Sequence, residues 1–440
     1  MSTSRTQFST KLGILAATVG SAVGLGNIWR FPYEAGQGGG GAFLICYILF
    51  VFLIGVPAIC AEFSLGRFSR SGMPVAYRKA ASSRRWDFIG YASVIAAFLI
   101  ISFYSVVAGW TLEYIVDSVL GLFQSTPDSS RHAQFADFTG SWKAVGWMVV
   151  FLLINAVVML GGVQKGIERV SNILMPLLFL ILIAFCINSL TMSGASEGLG
   201  FLFKPDFTKL TPEVVLGAMG QAFFSLSLGM GCMVTYASYF GDDTPLIKTS
   251  IRIALLDTLV AIMAGIIIFP AVFSFGMSPA EGPTLVFEVL PNIFHAMPGG
   301  RIWSTLFFIL LATASLTSII SVSEIIVAFL CDDLSMSRRN ATIVVTAISI
   351  VTGMLCSLSF GPLANLNLFN LFDFISSNIL MTLGGLGICL FVGWKMDSKE
   401  VENQLRHENG HKNALYRYIL FCIRYVAPAG ILIVFIAGLL

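Results

Sequence analysis

The sequence predicts an all-α polytopic membrane protein: an inverted five-plus-five transmembrane helix repeat with broken helices 1 and 6, plus an eleventh helix. Three observations carry that expectation. The composition, 56% hydrophobic and 11% charged with 37 phenylalanines and a mean hydropathy of +0.84, suits helices that are apolar on every side. Runs of about 20 apolar residues, long enough to cross a bilayer, recur near 12–36, 41–68, 88–122, 143–161, 167–190, 213–240, 248–276, 301–331, 340–360, 366–393 and 415–439. Glycines and small polar residues interrupt the first and the sixth of these runs.

Segment 1 holds Gly-Ser-Ala-Val-Gly-Leu-Gly-Asn-Ile-Trp-Arg-Phe-Pro (20–32), with three glycines beside Asn27 and Arg30. A helix that only had to cross lipid would not need them. Unwound backbone at membrane depth is tolerated only where it is buried in protein or lines a polar cavity. Interrupted helices of this kind mark the binding sites of secondary transporters. Segment 2 carries Glu62, segment 3 carries Tyr104 in Ser-Phe-Tyr-Ser, and in segment 5 Gly166 is followed by nine residues and then Pro176. Segment 6 repeats the interruption in Ser225-Leu-Ser-Leu-Gly-Met-Gly231. Segment 7 contains Asp257, segment 8 contains Ala314-Ser-Leu-Thr317-Ser318 and Glu324, and segment 10 contains Asp373. The proline-rich stretch 279–298 reads as a re-entrant or lid-like loop.

Lysine and arginine placement sets the orientation. The loop after segment 2 holds Arg67, Arg70, Arg78, Lys79, Arg84 and Arg85. The exits of segments 4, 6, 8 and 10 are also basic, with Lys165 and Arg169, Lys248 and Arg252, Arg338 and Arg339, and Lys395, Lys399, Arg406 and Lys412. Even-numbered exits are therefore expected in the cytoplasm, which puts the N-terminus inside and, with eleven spans, the C-terminus outside. Segments 1 and 6 then run in opposite directions, as an inverted repeat requires. The expected organisation is a single membrane domain over 1–440, with repeats at 12–190 and 213–393 and an additional helix at 415–439.

A net charge of +2 without a long basic tract argues against a nucleic-acid partner. The eight cysteines are scattered through or beside apolar runs, unlike a disulfide framework or a zinc site. The first segment is too long and too glycine-rich for a cleaved signal.

Breaking a helix frees N–H groups on one half, which attract anions, and carbonyls on the other, which attract cations. One site can thus hold a carboxylate and a sodium ion side by side. The adjacent hydroxyls of Thr317 and Ser318 suit sodium, although such groups in membrane helices also bond back to their own carbonyls. Charges inside spans are costly and say more. Asp257 has basic residues in its segment only near the cytoplasmic end, at Lys248 and Arg252, so a cation is a better account of it than a salt bridge.

These residues identify a resemblance. The chain is similar to the neurotransmitter:sodium symporters, particularly short bacterial members that transport amino acids, over residues 5–393. The resemblance rests on the segment 1 motif, on Gly-Gly-Gly-Gly-Ala-Phe (38–43), on Gly-Gln-Ala-Phe-Phe-Ser-Leu-Ser-Leu-Gly-Met-Gly (220–231) and on Leu-Thr-Ser (316–318).

The resemblance implies two sodium ions as cofactors and an amino acid as substrate. The first sodium would meet the Ala22 carbonyl, Asn27, Ser225, Asp257 and the substrate carboxylate. A second would meet the Gly20, Val23 and Ala314 carbonyls with the Thr317 and Ser318 hydroxyls. The substrate carboxylate would face the Leu25 and Gly26 amides and Tyr104. The substrate side chain would lie among Val23, Ile100, Phe224, Ser227, Met230 and Val322. Ala22, Gly24, Ser225 and Ser318 complete the expected substrate shell. Phe224 and Tyr104 would form a lid, with Arg30, Gln221 and Asp373 as the outer gate. Arg5, Asp332 and Tyr239 would form the inner gate, and Gly166 with Pro176 a helix-unwinding element.

Three departures sharpen the expectation. Gly24 stands where amine-transporting relatives carry aspartate, leaving room for a substrate carboxylate. Asp257 stands where animal members have asparagine beside chloride, so its fixed charge predicts chloride-independent transport. Met230 replaces an aromatic residue, and its flexibility suits a bulky or aromatic substrate.

Among rivals, His407-Glu-Asn-Gly-His411 matches the H-E-x-x-H zinc pattern, but Asn409 and Gly410 place it in a polar loop. The pairs Asp242-Asp243 and Asp332-Asp333 resemble magnesium–diphosphate sites, yet adjoin basic residues. The sequence reads as a sodium-coupled amino-acid importer rather than an enzyme. A sodium-dependent sensor that binds without transporting is the alternative.

Overall fold

Hydroxyl caps decide where several helices begin. The Gly13 amide donates to Thr10 Oγ1 at 2.9 Å, starting the first helix at Lys11. Thr211 accepts from Val214 ahead of Pro212, whose missing N–H is harmless in a first turn. Ser337 caps the helix that begins at Arg338. The computed structural model describes residues 6–122, 131–276, 286–287, 290–406 and 414–439.

Among the described residues, nine continuous helices are long and apolar enough to cross a membrane. They are segments 2 (Gly41–Ser69), 3 (Arg84–Leu120), 4 (Trp142–Leu160), 5 (Val163–Leu190), 7 (Leu246–Ser274), 8 (Gly300–Asp332), 9 (Arg338–Leu358), 10 (Ala364–Lys395) and 11 (Ala414–Ala437). Segment 1 is a bent pair, 1a (Lys11–Ala22) and 1b (Gly26–Gln37), with 52° between its halves. Segment 6 is broken into 6a (Pro212–Ser225) and 6b (Cys232–Ala237). Both breaks fall where glycines and small polar residues interrupt the apolar runs. The lid-like stretch contains a short helix, Leu290–Ala296, resting on segment 8.

Burial separates scaffold from periphery. The most apolar stretches of segments 3 and 8 are each 72% buried, against 33% for segment 5 and 39% for segments 4 and 11. Segments 3 and 8 lie along each other, and 1a packs on segment 8. Half-helix 6b packs against segment 2, where the buried Glu62 accepts the Gly229 amide at 2.8 Å and stitches the broken backbone to an intact helix.

Ion pairs join the ends of segments 1, 2, 3, 6 and 8 on one face, here the basic face. Arg78 meets Asp87 at 2.7 Å and Asp333 at 2.8 Å, Arg70 meets Asp242, and Lys11 meets Asp243 at 3.6 Å. Asp332 accepts the Gly72 amide at 2.7 Å. Both acidic pairs are thus absorbed by contacts between helix ends. The His407–His411 motif lies outside the described residues.

Candidate functional site

The two breaks meet at a buried polar cluster. The Gly24 amide donates to Asn27 Oδ1 at 3.1 Å, folding the break of segment 1 around its own asparagine. Asn27 Nδ2 then donates to Asp257 Oδ1 at 2.7 Å and to Ser225 Oγ at 3.0 Å. The Ser225 hydroxyl donates to Asp257 Oδ2 at 2.6 Å, and the Tyr47 hydroxyl to the same oxygen at 3.2 Å. Asn27, Tyr47 and Asp257 are fully buried, and Ser225 is nearly so. Four segments therefore converge on one carboxylate whose hydrogen-bond partners are all neutral. A buried carboxylate in that setting is held either by a proton or by a countercharge, and the cluster is small and oxygen-rich enough for a hard cation.

A second group lies between 1a and segment 8. Thr317 Oγ1 donates to the Ala314 carbonyl at 3.0 Å and to the Thr313 carbonyl at 3.3 Å. Ser318 Oγ donates to the Val23 carbonyl at 3.4 Å, just where segment 1 leaves its helix. The backbone of Gly20 lies directly against the Thr317 side chain. Carbonyls and hydroxyls from two helices thus converge here, with the hydroxyl protons bonding back to carbonyls.

Beside the polar cluster lies a small cavity of about 60 Å³. It is lined by Ala22, Gly24, Gly26, Ile100, Tyr104, Phe224, Ser225, Ser227, Met230, Ser318 and Val322, all expected, and by Ser21, Phe103, Ser377 and Met381, which were not. The side chains of Val23 and Leu25 are buried in the core. Their backbone serves the site instead, as the Leu25 amide donates to the Tyr104 hydroxyl at 3.2 Å. Gly24 has no room for a side chain, because a Cβ there would come within 2.7 Å of Ser318 Oγ and 3.1 Å of the Tyr104 hydroxyl. One end of the cavity is therefore polar and the rest is apolar.

The profile of the family described as "Sodium:neurotransmitter symporter family" matches residues 5–126 and 133–440. The chain belongs to that family. It is 40% identical to the "Uncharacterized sodium-dependent transporter YhdH" of Bacillus subtilis, over 98% of this chain and 97% of that one. Identity to the Drosophila melanogaster sodium-dependent serotonin transporter is 26%, over 99% of this chain and 76% of that one. Among solved structures it resembles MhsT, crystallised in complex with L-phenylalanine, with a TM-score of 0.90 and 43% identity, covering 99% of this chain and 100% of that one. The family is one of secondary symporters and not of enzymes.

On the face opposite the basic one, the symporter's Arg30 guanidinium lies 4.4 Å from the centroid of the Phe224 ring that roofs the cavity. Its ion pair is with Glu34, at 3.5 Å. Asp373 instead accepts from Ser377 at 2.9 Å, so the two charges expected at the outer gate each take a neighbour on their own segment. Glu34 is one turn from Arg30 on the same helix, whereas Asp373 belongs to segment 10 across the vestibule. Gln221 Nε2 donates to the Gly26 carbonyl at 3.0 Å and ties 6a to 1b.

On the basic face, Tyr239 donates to Glu324 at 2.6 Å, and Arg338 grips the same buried carboxylate through both nitrogens, at 2.8 and 2.6 Å. Tyr239 and Arg338 line one cleft with Asp332. Arg5 lies outside the described residues. Tyr47 and Arg338 were missed from sequence: a tyrosine in an apolar run and an arginine in a basic loop look ordinary until their partners are known.

Proposed function

We propose that this symporter imports amino acids with sodium by alternating access, with the basic face in the bacterial cytoplasm, the N-terminus inside and the C-terminus outside. Repeats at 12–190 and 213–393 would enclose the site, with 415–439 as the additional helix. The single observation behind this reading is the buried carboxylate of Asp257 beside a cavity whose polar end exposes helix-break backbone. A zwitterion fits that arrangement. Its carboxylate would meet the Leu25 and Gly26 amides and the Tyr104 hydroxyl. It would also complete the shell of a first sodium held by the Ala22 carbonyl, Asn27, Ser225 and Asp257. A second sodium would lie among the carbonyls of Gly20, Val23 and Ala314 and the hydroxyls of Thr317 and Ser318, replacing the hydrogen bonds those hydroxyls now make.

Ile100, Phe103, Phe224, Met230, Val322 and Met381 make the rest of the cavity apolar, which favours hydrophobic or aromatic side chains, and L-phenylalanine in MhsT supports that choice. Sodium and substrate bound together would draw the halves of segments 1 and 6 inward and close Phe224 under Arg30. Release would follow when the Tyr239–Glu324–Arg338 network parts. Asp257 carries the negative charge at the ion site, so transport should not require chloride.

The test is uptake of labelled amino acids into proteoliposomes, with and without an inward sodium gradient and with chloride replaced by gluconate. Sodium-dependent accumulation of a few hydrophobic amino acids, unchanged in gluconate, is expected. Sodium-dependent binding without accumulation would overturn the transport reading, and loss of uptake in gluconate would overturn the role of Asp257.

A further inference from the structure

We infer that Glu168 is a positioning residue of the gate on the basic face, the link through which segment 5 holds or releases half-helix 1a. The inference rests on the alternating-access reading above and names a residue that reading does not use.

Glu168 is 2% exposed and ends the π-helical turn Val163–Glu168 that opens segment 5. Its carboxylate is saturated by one short strap of chain. Oε2 accepts the Ser9 amide at 2.8 Å, while Oε1 accepts the Ser9 hydroxyl at 2.7 Å, the Thr10 amide at 3.1 Å and the Thr10 hydroxyl at 2.8 Å. One turn earlier, Gln164 Nε2 donates to the Gln7 carbonyl at 2.7 Å. Thr10 is also the cap that starts 1a, so the carboxylate grips the residue from which that helix grows. The seat exists because residue 13 has no side chain: a Cβ at Gly13 would lie 2.1 Å from Glu168 Oε1.

The other edge of the strap rests on segment 6. The Phe8 amide donates to the Tyr239 carbonyl at 3.1 Å, and the Phe8 ring stands edge-on to Tyr236 and Tyr239. Residues 7–10 therefore bridge segments 5 and 6 beside the Tyr239–Glu324–Arg338 network.

Glu168 is placed where segment 5 is weakest. It follows Gly166, whose backbone packs on the Val158 carbonyl, and precedes Pro176, which removes one helical hydrogen bond. A wide turn of this type is marginal compared with regular helix. If the turn loosens, the carboxylate withdraws and its four charge-assisted bonds to the strap are lost together. Segment 1a is then free to swing. Glu168 touches neither ion nor substrate and acts only through this attachment.

The test is a double-mutant cycle read by hydrogen–deuterium exchange of the full-length protein in sodium without amino acid. The readout is the amides of residues 13–20, beyond the two that Glu168 itself holds. Glu168→Gln keeps the shape but removes the charge, and should speed exchange there by about tenfold, the worth of charged hydrogen bonds. Pro176→Ala, which restores a helical bond to segment 5, should slow exchange in the wild type and leave the Glu168→Gln variant unchanged. Glu168→Ala should behave as Glu168→Gln, and sodium-dependent melting identifies folded variants. Equal slowing by Pro176→Ala in both backgrounds would make Glu168 a mere structural contact and overturn the proposal. Wild-type exchange in Glu168→Gln, or no effect of Pro176→Ala in either background, would also overturn it. Absence of uptake for every amino acid would instead fail the transport reading, with this cycle still readable.

Discussion

The hydroxyl of Ser225 donates to the carboxylate of Asp257 at 2.6 Å, so the last residue of half-helix 6a is tied to the middle of segment 7. Ser225 also lines the cavity. One hydroxyl thus belongs to the buried polar cluster and to the cavity wall, so an ion and a substrate bound where we propose would share it. Binding in a symporter must be coupled in this way, each ligand favouring the state that the other prefers.

Asp257→Ser removes the fixed negative charge and leaves a small polar cavity. Uptake in chloride-free medium should fall by tenfold or more, since hydrogen bonds to charged groups contribute about 1.5–3 kcal/mol. Added chloride should restore a measurable part of it. Wild-type uptake should not respond to chloride. Initial-rate uptake at fixed sodium, with chloride varied against gluconate, checks both statements.

Tyr104→Phe deletes the hydroxyl that accepts the Leu25 amide. The unwound backbone loses a partner and the proposed carboxylate site loses a donor. Substrate affinity should fall roughly tenfold, the effect of about 1.4 kcal/mol. Stabilisation by sodium alone should persist, because Asp257 keeps its hydrogen bonds to Asn27 and Ser225 and Thr317 is untouched. Equilibrium binding of a labelled amino acid, beside melting in sodium and in potassium, separates the two.

Gly24→Ala places a methyl group 2.7 Å from Ser318 Oγ and 3.1 Å from the Tyr104 hydroxyl. Overpacking of this kind costs about 1–3 kcal/mol, and here it falls on Ser318 and Tyr104, two residues of the proposed site. Uptake should drop at least several-fold while the protein still elutes as a folded species. Unchanged uptake would mean that the polar end of the cavity is not where the substrate carboxylate sits.

Glu324→Gln weakens a buried carboxylate's bonds to Arg338 and Tyr239. Removing one partner of a buried pair costs roughly 3–5 kcal/mol, so the gate on the basic face should open more often. Cys331 lines the cleft beside Tyr239 and Arg338. Its reaction with a membrane-impermeant thiol reagent should quicken at least tenfold, and Tyr239→Phe should have a smaller effect in the same direction. An unchanged rate would remove Glu324 from the gate.

The sequence by itself determined the spans, the two breaks and the charged centre. Each is a local anomaly against an apolar background: glycines at 24 and 26, hydroxyls at 317 and 318 and a carboxylate at 257 all stand out because lipid penalises them where they sit. Pairings were decided only in three dimensions. Arg30 and Asp373 both looked like gate charges, yet Arg30 sits with Glu34 one turn away, and Asp373 holds Ser377. Tyr47, Phe103, Ser377 and Met381 carry no such anomaly, and only helix rotation turns them toward the site. Glu168 stands at the ordinary-looking basic start of segment 5, and its partner Thr10 lies 158 residues earlier in the chain. Burial cost is a property of one residue and its solvent, whereas partnership depends on how distant helices pack, which no single segment specifies.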